Sequence, residues 1–367
     1  MRVLQWCKKN IMMLVALLAA AVTAVIIPPD GEYAGYYDLR SLTCLFCVLA
    51  VVCALRNISV FEFLAQYLLR FFHTARSVVM ALVIITLIGS MLLTNDTALL
   101  TFLPLSWFVL HAAGLDRYLA FTFIMQNCAA NLGGMLTPFG NPQNLYLFSY
   151  YSIPAGEFLV IMLPPFLLST ALILLCCLFV RRVPLSVPDK SFSLDKKRLA
   201  VYAALFCLSV SMVLRVVPYY IGLIVIPVVL LVFDRCALKN VDWGLLVTFA
   251  AFFTFSGNMA RMDSVRNLFS RLLSHGTMLV SALCSQIISN VPSAILLSRF
   301  TEDYRGLLVG VNIGGAGTLV ASLASLITFR EYAKRVPGQS GRFLALFSAI
   351  SFGFLAILIA AMCALGY

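Results

Sequence analysis

The chain has 367 residues, 62% hydrophobic and only 11% charged, with 26 Lys and Arg against 15 Asp and Glu. Soluble domains carry about 25% charged residues, so this composition excludes an ordinary soluble domain and points to an all-α polytopic membrane protein. The net charge of +11 is explained by loop topology below, and no nucleic-acid partner is expected.

The chain starts MRVLQWCKKN and continues IMMLVALLAAAVTAVII. A basic start, an apolar core and small residues are also the marks of a signal peptide. The apolar run is long and more follow it, so a first transmembrane helix over 11–27 is expected. Further spans of near the ~20 residues that cross hydrocarbon are expected around 38–55, 118–150 (interrupted), 158–180, 200–216, 219–233, 243–258, 303–329 (interrupted) and 343–366. Two regions, 77–113 and 277–300, have another pattern: an apolar arm, a short polar tip and a second apolar arm. The tips read TNDTA (Thr94 to Ala98) and SNVPS (Ser289 to Ser293). Arms too short for comfortable spans predict re-entrant hairpins with tips at membrane depth. Segments 57–75 and 260–275, just before the hairpins, suit amphipathic helices lying in the interface.

Lys and Arg placement sets the orientation. Nine crossings and two hairpins put 19 of the 26 Lys and Arg on the side of the N-terminus, with the loop RRVPLSVPDKSFSLDKKR (181–198) as the strongest marker. The N-terminus is therefore expected in the cytoplasm and the C-terminus outside. Cysteines such as Cys44, Cys47, Cys53, Cys176, Cys177 and Cys207 fall in or near apolar segments without metal-ligand spacing to the three His. The CxxC of Cys44 and Cys47 lies inside an expected span, so these thiols are read as small apolar fillers.

The stretch NLGGMLTPFGNPQNL (131–145) is rich in residues that stop helices. Laid without a gap on NIGGAGTLVASLASL (312–326), Asn131 meets Asn312, Gly133 and Gly134 meet Gly314 and Gly315, and Thr137 meets Thr318. Gly140 falls opposite Ala321, and Asn141 and Asn144 fall opposite Ser322 and Ser325. The tips correspond as well, Thr94-Asn95 with Ser289-Asn290. Both halves run span, surface helix, hairpin, interrupted span, span. An odd number of crossings between equivalents turns the second half upside down, which predicts an inverted-topology repeat. The first copy would be 1–180 (hairpin 77–113, broken helix 118–150) and the second 219–367 (hairpin 277–300, broken helix 303–329). Residues 181–218 would form the cytoplasmic loop and a connecting helix. Broken helices at membrane depth are tolerated where they line a cavity. Their N-termini suit anions, and their unwound carbonyls and hydroxyls suit Na⁺, a hard cation. Gly lets the backbone approach closely, and Pro142 can open the next half-helix.

TNDTALLTFLPL, NLGGMLTPFGNPQNL, SQIISNVPSAILL and NIGGAGTLVASLASLI together resemble the ion-transporter superfamily. That group holds citrate-transporter-like permeases, arsenite permeases, NhaD-type sodium/proton antiporters and divalent anion:sodium symporters. The likeness covers nearly the whole chain and is closest to short bacterial inner-membrane permeases of the YbiR type. It implies a homodimer in which a transport domain of hairpins and broken helices moves against a scaffold. In the sodium symporters, Ser-Asn-Thr tips and neighbouring unwound loops hold Na⁺ and a carboxylate substrate. Here the third tip position is Asp96 in the first copy and Val291 in the second, so neither keeps that Thr.

These readings place solute and coupling ion among Thr94, Asn95, Asp96, Thr97, Asn131, Gly133, Gly134, Thr137, Gly140, Asn141, Ser289, Asn290, Asn312, Gly314, Gly315, Thr318 and Ser322. Na⁺ would sit at Asn95, Asp96, Thr137 and Asn141, and at Ser289, Asn290, Thr318 and Ser322. Asp96 is the one charge expected at depth, and such a residue is by default functional. It is read as a coupling-ion group for H⁺ or Na⁺; its bland role would be to N-cap the second arm. Gln126, Asn127 and Gln286 either line the pathway or hydrogen-bond between helices. Arg299 would snorkel to the interface, and Met12, Met13, Phe252 and Phe253 would pack. The function expected is secondary active transport of a small, anionic solute coupled to H⁺ or Na⁺, with no other cofactor. The rival within transport is a metalloid or cation extruder; a channel or an intramembrane enzyme is further off. GxxxxGK[ST] is absent, and Gly338-Gln339-Ser340-Gly341 lies in an expected loop without a nearby His.

Overall fold

Runs of Leu, Ile, Val, Phe and Ala broken by Pro, Gly and Asn produce helices and nothing else: among the described residues there is no strand. The structure is a computed structural model and describes residues 10–69, 71–184 and 195–367. The basic start at 1–9 and the middle of the 181–198 loop lie outside the described residues. The first half contains α1 (Ile11–Ile26), α2 (Leu39–Asn57), α3 (Val60–Leu69), α4 (Ala75–Leu92), α5 (Asn95–Ala112), α6 (Leu119–Gly133), α7 (Pro142–Tyr150) and α8 (Ala155–Cys177). Then come α9 (Lys196–Val213), α10 (Tyr219–Phe233), α11 (Arg235–Lys239), α12 (Trp243–Ala260) and α13 (Asp263–Leu273). The last part holds α14 (Thr277–Ile288), α15 (Asn290–Leu297), α16 (Tyr304–Ile313), α17 (Leu323–Arg335) and α18 (Ser340–Ala364).

Five helices, α2, α4, α8, α12 and α18, are long and apolar enough to cross a membrane, and α1, α10 and α14 are shorter apolar helices. The presence of α4 in that set corrects one expectation. The arms of the first tip region are not the short ones expected from sequence: α4 and α5 have 18 residues each. Pro104 lies inside α5 without ending it. The arms of the second region are short, at 12 and 8 residues. Both interrupted spans break where Gly and Thr cluster, with Pro138 and Pro142 added in the first, between α6 and α7 and between α16 and α17. Pro142 opens α7, where its missing N–H costs no hydrogen bond.

The first tip is capped by Thr94, which accepts from the Thr97 N–H, so Asp96 is not the N-cap. Asp96 lies instead in the first turn of α5, where the helix dipole favours a negative charge. The second tip pivots on Ser289, whose φ of 76° lies in the left-handed region. With ψ at 156°, this backbone is almost confined to Gly and stores about 1–3 kcal/mol of strain in another residue. Ser289→Gly is expected to raise the thermal unfolding midpoint in detergent by about 1 kcal/mol of stability, after the entropic cost of Gly. Ser289→Val should lower it, and equal midpoints for the two variants would dismiss the strain.

Helix contacts recur in pairs. α1 packs on α12, and α10 on α2; α4 packs on α6, and α14 on α16; α5 packs on α17, and α15 on α7. Gly133 and Gly314 make the broken helices fit against their neighbours. A Cβ on Gly133 would stand 2.8 Å from Ser90 Oγ, and one on Gly314 would stand 2.9 Å from the Ala282 Cα. Close approach of this kind is what small residues provide between apolar helices. Arg299 departs from the snorkelling expectation. It is half-buried, and its Nη2 donates to Tyr36 O at 2.7 Å. Phe252 and Phe253 pack in the apolar core as expected.

Candidate functional site

Each tip region is joined to the break of its own half by the same two bonds, and a third bond of the same kind closes each tip on itself. The Asn95 N–H donates to Gly140 O at 3.2 Å, and the Asn290 N–H to Ala321 O at 2.9 Å. Thr137 Oγ1 donates to Met91 O at 2.7 Å, and Thr318 Oγ1 to Gln286 O at 3.0 Å. Asn95 Oδ1 accepts from the Asp96 N–H, and Asn290 Oδ1 from the Val291 N–H, both at 2.9 Å. These contacts satisfy donors and acceptors freed where the helices stop.

A second set of bonds converges on two asparagines, and all but the Asn95–Asn131 bond cross between the halves. Asn131 Oδ1 accepts from Asn95 Nδ2 at 3.0 Å and from Ser322 Oγ at 2.8 Å. Asn312 Oδ1 accepts from Asn141 Nδ2 and Gln143 Nε2, each at 3.2 Å, and its Nδ2 donates to Asn144 Oδ1 at 2.6 Å. Ser322 and Asn141 therefore play the same part in opposite directions. Gln126, Asn127 and Gln286 hydrogen-bond between elements. Gln126 donates to Thr86 Oγ1, and Asn127 bonds Ser325 and Thr328. Gln286 holds the second break through Gly314 O, Ala316 O and the Thr318 N–H.

In front of this network lies a cavity of about 110 Å³. Its walls come from the first tip (Asn95, Asp96), the second tip (Ser289, Asn290, Val291, Pro292) and the half-helices that follow the breaks (Pro142, Gln143; Ser322, Leu323, Leu326, Arg330). The starts of α5, α7, α15 and α17 thus meet at one space. Each brings the partial positive charge of a helix N-terminus. The mouth is formed by Asn10 to Met13 at the start of α1 and by Asp242, Gly244, Leu245 and Thr248 at the start of α12. The volume holds a small solute or several waters. Asn141 Oδ1 and Gln143 Oε1 are buried without a partner, as is Asn131 Nδ2. The Asp96 carboxylate has no hydrogen-bond or ion-pair partner among the described residues.

Of the residues expected from sequence, Asn95, Asp96, Ser289, Asn290 and Ser322 stand on the cavity wall. Asn131, Asn141 and Asn312 stand behind it in the amide network. Thr94 and Thr97 share a 2.9 Å hydrogen bond at the first cap. Thr137 and Thr318 spend their hydroxyl protons on carbonyls in the last turn of the preceding arms, Met91 O and Gln286 O. Gly133 and Gly314 pack against the arms, and a Cβ on Gly140 would collide with Gly134 O. Gly315 lies beside Asn290, 3.2 Å from its Nδ2 if given a Cβ. Sequence reasoning missed Gln143, Arg330 and the whole mouth. Gln143 follows Pro142 in the first break and could have been found there. Met12 and Met13, expected to pack, face the mouth, and nothing in their local pattern signals it.

The model for the family described as citrate transporter matches residues 3–302, which include both tips and the first break. An uncharacterized transporter of Methanocaldococcus jannaschii is 32% identical over 88% of this chain and 89% of its own length. The inner membrane protein YbiR of Escherichia coli is 31% identical over 74% of this chain and 73% of its own. A silicon efflux transporter of Oryza sativa is 32% identical over 45% of this chain and 34% of its own. With that span of agreement around a cavity built from helix ends, the chain belongs to the citrate transporter family of membrane transporters.

Proposed function

We propose that this chain is a secondary active transporter of a small anionic solute, coupled to H⁺ or Na⁺. One observation carries the reading: both Asn tips and both half-helix starts line a single cavity. Four helix N-termini facing one space favour a negative solute. Asn141 Oδ1, Gln143 Oε1 and the Asp96 carboxylate supply oxygens of the kind Na⁺ takes. The recurring helix pairs and the reciprocal Asn and Ser bonds support two inverted halves, 1–180 and 219–367, with re-entrant hairpins at the tips. In this reading the cavity is exposed alternately to the two sides as the hairpin-bearing helices move against α2, α9, α10 and α12. The assembly is a homodimer in a bacterial inner membrane, N-terminus inside and C-terminus outside.

A second reading, extrusion of a metalloid or a cation, draws on the rice relative, which is named for silicon efflux. A wall of amides and hydroxyls would also bind a neutral, hydroxylated solute. Flux in proteoliposomes separates the two, with carboxylates, inorganic oxyanions and neutral metalloid hydroxides tested under Na⁺ and H⁺ gradients imposed one at a time. The anion reading expects saturable uptake of an anion against its gradient, lowered about tenfold or more by Asn95→Ala and by Asn290→Ala, the loss of a hydrogen bond to a charged group. Flux that never saturates and never accumulates solute would replace the transporter by a channel.

A further inference from the structure

Among the described residues, the exposed part of the cavity lining, Ile11, Asp242 and Arg330, lies at the starts of α1 and α12 and in α17, and the opposite end is buried. At the far end of α7, Tyr146 is fully buried and shares a 2.8 Å hydrogen bond with Ser298 Oγ. Its ring lies 5.4 Å from those of Phe253 and Tyr150, and Tyr37 meets Phe253 edge-on at 6.4 Å. Two arginines hold this aromatic plug in place. Arg215, just beyond α9, donates to Phe148 O and lies 4.8 Å from the Phe148 ring. Arg299, just beyond α15, donates to Tyr36 O and lies 5.4 Å from the Tyr150 ring. The Tyr36 segment is itself anchored, because Arg261 donates to Tyr36 Oη at 3.0 Å and pairs with Asp30 at 2.6 Å.

Both arginines tie a cavity-lining helix to an element that lines none of the cavity. Neither pairs with a carboxylate among the described residues, and each has a buried Nε without a partner. Opening this end would wet both Nε donors, so solvation offsets part of each broken hydrogen bond. Such a closure is poised to release. The helix starts show what lies beneath it. α12 is capped by Asp242, which accepts from the Leu245 N–H at 2.9 Å; α2 is capped by Asp38, which accepts from the Ser41 N–H at 3.1 Å. In that shared register, Asp242, Gly244, Leu245 and Thr248 correspond to Asp38, Arg40, Ser41 and Cys44. As α1 lies on α12, so α10 lies on α2.

We infer that Arg215 and Arg299 are the releasable latch of a second mouth, closed here and lined by Asp38, Arg40, Ser41 and Cys44. This rests on the alternating-access reading above. Cys44 is 3% exposed and serves as a native probe. The test uses the full chain in nanodiscs, where both faces meet water, with Cys44 as its only cysteine. The probe is a charged, membrane-impermeant methanethiosulfonate. Arg215→Gln with Arg299→Gln is expected to speed Cys44 modification about tenfold or more. The same pair should slow modification of Leu245→Cys, placed at the open mouth in a Cys44→Ser background. Arg215→Lys with Arg299→Lys should leave Cys44 shielded. Opposite changes at the two thiols mark a switch between mouths. An unchanged Cys44 rate, or both rates rising together, overturns the latch. Proteoliposome flux is measured separately, so active transport with a shielded Cys44 would sink the latch alone, and absent flux would sink the transport reading.

Discussion

Asp96→Asn is expected to leave solute exchange intact while abolishing the response of uptake to the coupling gradient. Asp96 stands on the cavity wall in the first turn of α5, with no partner for its carboxylate among the described residues. Its counterpart at the second tip is Val291, so the two tips carry a single ionisable group. A carboxylate beside the solute can take up H⁺, or can lend charge and oxygens to Na⁺. Asn keeps the shape and one acceptor oxygen but does neither. At one-to-one coupling, a tenfold ion gradient supports about tenfold accumulation, about 1.4 kcal/mol. The Asn variant should accumulate to about one. Asp96→Glu, which retains the charge, should keep part of the response. Asp242 is the other wall carboxylate, but it serves as the N-cap of α12 at the mouth. Asp242→Asn preserves a capping side chain and should leave the gradient response in place. Wild-type accumulation in Asp96→Asn would remove Asp96 from coupling.

The course of the helices was legible because it depends on local chemistry. Gly and Thr clusters marked the breaks at 134–141 and 314–322, Pro adding to the first, and the 219–233 span emerged with the same limits. Polar residues between apolar arms marked the two tips. Arm length was misjudged in the first region because Asn95 and Asp96 fall in the first turn of α5 and Pro104 does not end it, so polar residues and Pro did not bound the helix. The capping role offered as the alternative for Asp96 falls to Thr94 for a related reason: both are good N-cap types, and only the backbone geometry chooses between them. The shared register of the two breaks located Asn131 and Asn312. It did not reveal that their oxygens are served from the opposite half, by Ser322 and Asn141. The mouth was invisible, because Asn10 to Met13 and Asp242 to Thr248 belong to it only through the packing of α1 on α12.

Asn312→Leu should be the most damaging single substitution at the site, although Asn312 does not touch the cavity. The swap nearly conserves shape, so its cost is electrostatic. Gln143 Nε2 and Asn144 Oδ1 lose their partner, and both residues are almost fully buried. Asn141 Nδ2 keeps Asn131 O at 3.1 Å. Two orphaned buried groups at about 1–3 kcal/mol each come to roughly 4 kcal/mol. At about 2 °C per kcal/mol for a chain of this size, the unfolding midpoint in detergent should fall by roughly 8 °C. Asn57→Ala, which breaks an exposed 2.9 Å bond to Asp234, should shift it by less than about 1 °C, as surface changes do. Gln143→Leu added to Asn312→Leu should recover part of the loss, because removing both partners leaves less unsatisfied than removing one. Since Asn312 lies in the second half and Gln143 and Asn144 in the first, that recovery would measure the bond between the halves. Additive losses in the double variant would mean that the amide network contributes no such bond, and that apolar packing alone holds the two halves in register.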